Sequence, residues 1–199
     1  MSNFHPPLVL VHGLWDDHRV FKSLVKTLEE HNLQLLIPDL PHNLGRTSIK
    51  VLAADLKSQI NTEFGMKENI DILGFSMGGL VARYWLQCLG GFIRTRRFIS
   101  VGSPHQGTFT SQFVPQCLME GIAEMKKGSD FLQDLNNNVT TLDDINCISF
   151  FCYWDLMVFP GWQAVLPVGS HSSINVLTHK ELITNPRSLI TLKKAVINC

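Results

Sequence analysis

Short unbroken apolar runs recur along this chain, and between them apolar residues return every three or four positions. Runs of the first kind, bounded by turn formers, predict strands buried on both faces, and the second pattern predicts amphipathic helices. Strands are expected at 8–11, 33–37, 70–75, 97–101, 147–153 and 163–168. Asp16 or Asp17 caps a first helix carrying Phe21, Leu24, Val25 and Leu28, which His31-Asn32 ends. Thr47 or Ser48 caps a second, with Ile49, Leu52, Ala53, Leu56 and Ile60 on one face. A third follows residue 76 and buries Leu80, Val81, Tyr84, Trp85 and Leu86. Asn185-Pro186 reads as the N-cap and first helical residue of a closing helix through Leu189, Leu192 and Val196.

The stretch 109–144 has the least regular pattern. Its apolar residues Phe109, Phe113, Val114, Leu118, Met119 and Ile122 are interrupted by Pro115, which predicts broken helices, either a small mobile lid or a fixed flank. The resulting order, β-α-β-α-β-α-β, insert, β-β-α, argues an α/β fold. The sheet should be doubly wound and mainly parallel, of about six strands, with helices on both faces and ligands beyond the strands' carboxyl ends. No repeat, linker or low-complexity tract divides residues 1–199, so one domain is expected.

Composition narrows the function classes. Seventeen basic and 17 acidic residues cancel, and no basic block stands out, so nucleic-acid binding has no electrostatic footprint. No apolar run approaches the roughly 20 residues that span a bilayer. The N-terminal sequence lacks the charged, apolar and small-residue regions of a signal peptide, and its Leu8-Val9-Leu10-Val11 run fits a first strand. The five cysteines lack C-x-x-C spacing, which fits reduced thiols in a cytoplasmic protein. Eight histidines occur without an H-E-x-x-H arrangement, and the glycines at 74–79 lack the lysine and spacing of a phosphate loop, so neither metal nor cofactor is expected.

The stretch that carries chemistry is Gly74-Phe75-Ser76-Met77-Gly78, a G-x-S-x-G pattern where the strand 70–75 hands over to a helix. A serine held at such a sharp turn sits in strained backbone, so its neighbours two residues away must carry almost no side chain. Gly79 lets the helix pack close to the strand. Ser76 would then stand at a helix N-terminus, beside free N–H groups and the positive end of the dipole.

With this motif the chain resembles the α/β-hydrolase family, and within it the small, minimal-core lipases and esterases. Gly102-Ser103-Pro104-His105-Gln106-Gly107-Thr108 is similar to the G-S/T-P-H-x-G-T stretch of lipases and related acyl hydrolases, and reads physically as a rigid turn. His12-Gly13-Leu14 resembles the family's H-G-x turn after the first strand. The resemblance implies that Ser76 is the nucleophile and that the triad runs in the order Ser, acid, His. Asp155, directly after the strand 147–153, fills the acid place, and Tyr153 to Pro160 is similar to the acid-bearing turn; Asp130, Asp134, Asp143 and Asp144 are weaker rivals. Two histidines follow Asp155. His171 comes shortly after the last predicted strand, whereas His179 resembles the H-x-x-L stretch ahead of the final helix and is the favoured base. The same resemblance implies oxyanion donors at the Leu14 and Met77 N–H groups. His12 is expected to hold its loop rather than to react.

The expected activity is hydrolysis of carboxylic esters of lipid or other apolar acyl substrates through an acyl-enzyme on Ser76. Acyl transfer by the same residues, or an idle hydrolase-like domain that binds lipid or a partner, are the alternatives. The lipid preference is what the resemblance implies, and apolar residues near the inferred site (Leu14, Trp15, Val158, Phe159) agree with it; the expected partner is a small ester or lipid substrate, with transient contact with a membrane surface left open.

Overall fold

The computed structural model describes residues 5–113 and 119–198. The middle of the predicted lid, with Val114, Pro115 and Leu118, lies outside these residues.

Six parallel strands form one sheet in the order β2-β1-β3-β4-β5-β6. They are β1 (Leu8–Val11), β2 (Leu35–Leu36), β3 (Ile70–Phe75), β4 (Thr95–Val101), β5 (Asn146–Phe151) and β6 (Ser170–Ser173). The helices are α1 (Lys22–Leu28), α2 (Ile49–Phe64), α3 (Met77–Cys88), α4 (Glu120–Glu124), α5 (Asp130–Asn137), α6 (Glu181–Thr184) and α7 (Pro186–Ile197). Strand residues alternate between two cores. Val9, Val11, Ile70, Ile72 and Phe98 pack with α2, α3 and α5, whereas Leu8, Leu10, Phe75, Ile99 and Val101 pack with α1, α6 and α7. Helices therefore cover both faces, as the doubly wound expectation required.

The caps resolve as Asp17, which accepts from the Arg19 N–H and opens a short turn into α1, and Ser48, which accepts from the Val51 N–H. Asn32 ends the first helical stretch in the left-handed region (φ 48°). Asn185 caps α7 through the Arg187 N–H, with Pro186 first in the helix.

One strand assignment is corrected. The stretch 163–168 does not pair into the sheet: Gly161–Ala164 is a single 3-10 turn, and Ala164 and Leu166 are buried as loop side chains. The sixth strand is instead Ser170–Ser173, whose four residues are all exposed. An edge strand with both faces in water needs no apolar residue, so periodicity cannot mark it. Gly169 admits the approach, because a Cβ there would lie 2.2 Å from the Cys147 carbonyl oxygen.

The sheet order also fixes where chemistry can occur. The chain runs from β1 outward to β2 and then returns to β3 on the other side of β1, so the switch point lies between β1 and β3. Val11 pairs with Gly74, so the turn after β1 emerges beside Ser76.

Candidate active site

Ser76 stands between β3 and α3 with φ 55° and ψ −130°, a conformation strained for any residue with a Cβ. Its N–H donates to the Val101 carbonyl at 2.9 Å, and its carbonyl accepts from Gly79 at 3.0 Å. The glycines permit this turn. A Cβ on Gly74 would lie 2.4 Å from Gly79 Cα, and one on Gly78 would lie 2.2 Å from the Val11 carbonyl oxygen. Met77 is the first residue of α3, so its N–H is among those left without an intrahelical acceptor.

Gly13, after β1, comes so close that a Cβ on it would be 2.7 Å from Ser76 Cβ. His12 fixes this loop. Its Nδ1–H donates to the Gly13 carbonyl at 3.0 Å, and its Nε2 accepts from the Leu40 N–H at 3.0 Å. Burial pushes the His12 pKa down, which keeps it neutral and able to accept.

Asp155 follows β5 and is buried. Its Oδ1 accepts from the Met157 and Val158 N–H groups at 2.9 and 3.0 Å, and its Oδ2 lies 2.6 Å from His179 Nδ1. A carboxylate accepts only, so the proton of the neutral imidazole sits on Nδ1 and Nε2 is left with its lone pair. Nε2 is buried and has no hydrogen-bond partner among the described residues. The imidazole stacks on Phe75, with centroids 4.9 Å apart. Gly102 leaves room for it: a Cβ there would be 3.1 Å from His179 Cε1.

Two supports of this arrangement escaped the sequence reading. Glu181 Oε2 accepts from the Leu177 and Thr178 N–H groups while Thr178 Oγ1 accepts from the Glu181 N–H, so a reciprocal box closes around His179. The signal was present as Thr178-x-x-Glu181, the capping-box spacing. Thr108 ends the Gly102–Thr108 turn, and its hydroxyl donates to the Met157 carbonyl at 3.0 Å and accepts from the Phe159 N–H at 3.3 Å. That turn therefore ties down the loop bearing Asp155. His105 is buried within it at 2.6 Å from Ser100 Oγ, and burial holds its pKa well below the usual value.

The other candidates lie elsewhere. His171 is exposed on β6, in register with Ser149. Asp130 and Asp134 are exposed on α5, and Asp143 and Asp144 are exposed ahead of β5, at the opposite end of the sheet from Ser76.

Ser76 and His179 share the wall of a cavity of about 210 Å³. Leu14, Ile122, Met125, Met157 and Val158 are among the apolar residues that line it. Its α4 side is anchored, because Glu124 accepts from the Ile49 N–H at the start of α2 and Ile122 is buried. Among the described residues no group of three or more His, Cys, Asp or Glu could hold a metal ion, and no helix is long and apolar enough to cross a membrane.

A sequence model of the palmitoyl protein thioesterase family matches residues 7–127, more than half of the chain. The chain belongs to the palmitoyl protein thioesterase family. The matched region contains the turn after β1, the elbow at Ser76 and the turn 102–108, and it ends before Asp155 and His179. A curated relative, the lysosomal thioesterase PPT2 homolog of Drosophila melanogaster, is 29% identical over 118 residues, which are 57% of this chain and 41% of the relative. The chain thus spans well under half of that relative's length. Among solved structures, the mature lipase BlEst2 of Bacillus licheniformis superposes with a TM-score of 0.73 at 17% identity, covering 97% of this chain and 93% of its own. Lipase B of Aspergillus fumigatus gives a TM-score of 0.78 at 16% identity, over 96% of this chain and 52% of its own. At such identities these likenesses speak for the fold alone. It is the α/β-hydrolase fold expected from the elbow motif.

Proposed function

We propose that this protein is a serine hydrolase that cleaves esters and thioesters of apolar acyl groups, with Ser76 as nucleophile, His179 as base and Asp155 as its orienting acid. The observation that carries the reading is the 2.6 Å contact from Asp155 to His179 Nδ1. It leaves the Nε2 lone pair without a partner among the described residues, in a ring that borders the same apolar cavity as Ser76. Membership of a thioesterase family supports the inclusion of thioesters beside oxygen esters.

In this reading the acyl group lies in the cavity and Ser76 Oγ attacks its carbonyl carbon. The hydroxyl proton passes to His179 Nε2, and Asp155 stabilises the imidazolium that forms. The N–H groups of Leu14 and Met77 receive the negative oxygen of the tetrahedral intermediate. The intermediate collapses by breaking the bond to the leaving sulfur or oxygen, to which His179 returns the proton. Water then attacks the acyl-enzyme by the same route. Nε2 makes no hydrogen bond to Ser76 Oγ in the free protein. Such contacts are commonly long before substrate binds and tighten in the complex.

The test is labelling with a fluorophosphonate, peptide mapping of the label, and turnover of octanoyl thioester and ester substrates by the purified protein. Ser76→Ala should lose label and activity together. A label on another serine, or full activity in Ser76→Ala, would sink the proposal.

A further inference from the structure

A second hollow adjoins the cavity at Ser76, beside His179. It measures about 430 Å³ and is lined by Phe75, Leu156, Leu177 and Lys180 without Ser76. Leu14, Trp15, Asp16, Met157 and His179 line both it and the cavity at Ser76, so they form the divide between the two spaces. We propose that this groove is the leaving-group subsite and that it takes an apolar, uncharged thiol or alcohol body; the assignment rests on the triad reading above.

The chemistry assigns the two sides. The acyl carbon bonds to Ser76 Oγ and remains in the space that Ser76 borders. The bond that breaks joins that carbon to the leaving atom, which must take its proton from His179 Nε2. The leaving atom therefore sits against the imidazole, and its substituent extends into the space that His179 borders and Ser76 does not. The floor of that space is Phe75, on which the imidazole stacks.

The walls indicate what is bound. Trp15, Leu156 and Leu177 expose 58%, 75% and 69% of their surface, and three large apolar side chains gathered around one hollow differ from scattered exposed leucines. Trp15 is also held at φ 64°, a strained position for a bulky residue that persists only where its surroundings impose it. The two charged residues of the lining, Asp16 and Lys180, cancel. A polyanionic leaving group such as a nucleotide thiol needs several converging cations, preferably arginines. The lining supplies one lysine, opposed by a carboxylate.

The experiment keeps the acyl group constant and varies the leaving group. Octanoate is a medium-length apolar chain, chosen because the cavity at Ser76 is small, about 210 Å³. Octanoyl thioesters of benzyl thiol, N-acetylcysteamine and coenzyme A are compared in the wild type and in Leu156→Ser/Leu177→Ser. Both substituted residues are exposed, so the variant should fold, and its melting curve checks that. The wild type should prefer the benzyl thioester over the coenzyme A thioester by at least about tenfold in kcat/KM. The variant should lose about tenfold on the benzyl thioester and no more than about twofold on the N-acetylcysteamine thioester, as loss of apolar cover predicts. Equal or better use of the coenzyme A thioester by the wild type would overturn the proposal. So would a variant loss that grows with acyl length from butanoyl to octanoyl instead of following the leaving group, because the groove would then hold the acyl chain. No hydrolysis of any member together with no fluorophosphonate label on Ser76 would overturn the triad reading, and this assignment with it.

Discussion

Asp155→Asn is the sharpest perturbation of the proposed triad, because its effect follows from a count of donors and acceptors. The carboxylate has two jobs: Oδ1 accepts from Met157 and Val158 N–H groups, and Oδ2 accepts from His179 Nδ1. Asparagine offers one oxygen and one NH2 group. If its oxygen keeps the two backbone donors, the NH2 group faces His179 Nδ1, which must then accept. The imidazole proton moves to Nε2, where it can no longer take the Ser76 proton. Reversing the amide would instead place its NH2 against two N–H donors in a buried turn, at a cost of about 1–3 kcal/mol for each donor left unpaired. The inverted tautomer is therefore favoured, and the expected loss in kcat is about ten-thousandfold, or roughly 5.5 kcal/mol of barrier. Thioester turnover measures the loss, a thermal melt shows that the fold persists, and nitrogen-15 NMR of the imidazole reports the tautomer. A folded Asp155→Asn protein that keeps kcat within about tenfold, with the proton still on His179 Nδ1, would refute the reasoning.

Three further outcomes are expected. Ser76→Gly should be inactive yet melt about 2–4 °C above Ser76→Ala, because only glycine relieves a positive-φ strain worth about 1 kcal/mol or more; equal melting temperatures would contradict the strained elbow. Gly13→Ala places a Cβ 2.7 Å from Ser76 Cβ, and displacing the nucleophile should cost at least about a hundredfold in kcat/KM; a folded variant with normal activity would show that the loop gives way freely. Burial raises the Glu124 pKa from 4.5 to about 7, so the folded state holds this proton more tightly than the unfolded one, and the associated stability is present below about pH 4.5 and lost as pH rises through about 7. Glu124→Gln should therefore gain melting temperature relative to the wild type above pH 7 and gain none at pH 4, and a constant difference across that range would rule the effect out.

Legibility in the sequence followed the reach of each interaction. Leu8 to Val11 and Ile70 to Phe75 are buried on both faces, so their apolar runs marked them as strands. Ser48 and Asn185 act on donors two or three residues away, so their caps could be read directly. Ser170–Ser173 could not be found in this way, since its pairing with β5 is made by backbone atoms that every sequence possesses. The apolar stretch 163–168 was misread for the opposite reason. Burial leaves the same mark on a covering loop as on a strand.

By itself, the sequence determined the α/β alternation and the strained turn at Ser76, because strand burial, helix periodicity and the glycine requirement are local and leave their mark in residue type. It also supplied Asp155 and His179 as candidates, through resemblance to a family of known chemistry. Only the tertiary structure decided their grouping. Nothing local to residues 155 and 179 dictates that two side chains 24 positions apart meet at 2.6 Å. That contact depends on β5 lying beside β4, on Gly102 leaving space for the imidazole, and on Thr178 and Glu181 closing the loop around it. The division of the site into two spaces was likewise decided by packing, since a cavity is a property of surfaces brought together and has no counterpart along the chain.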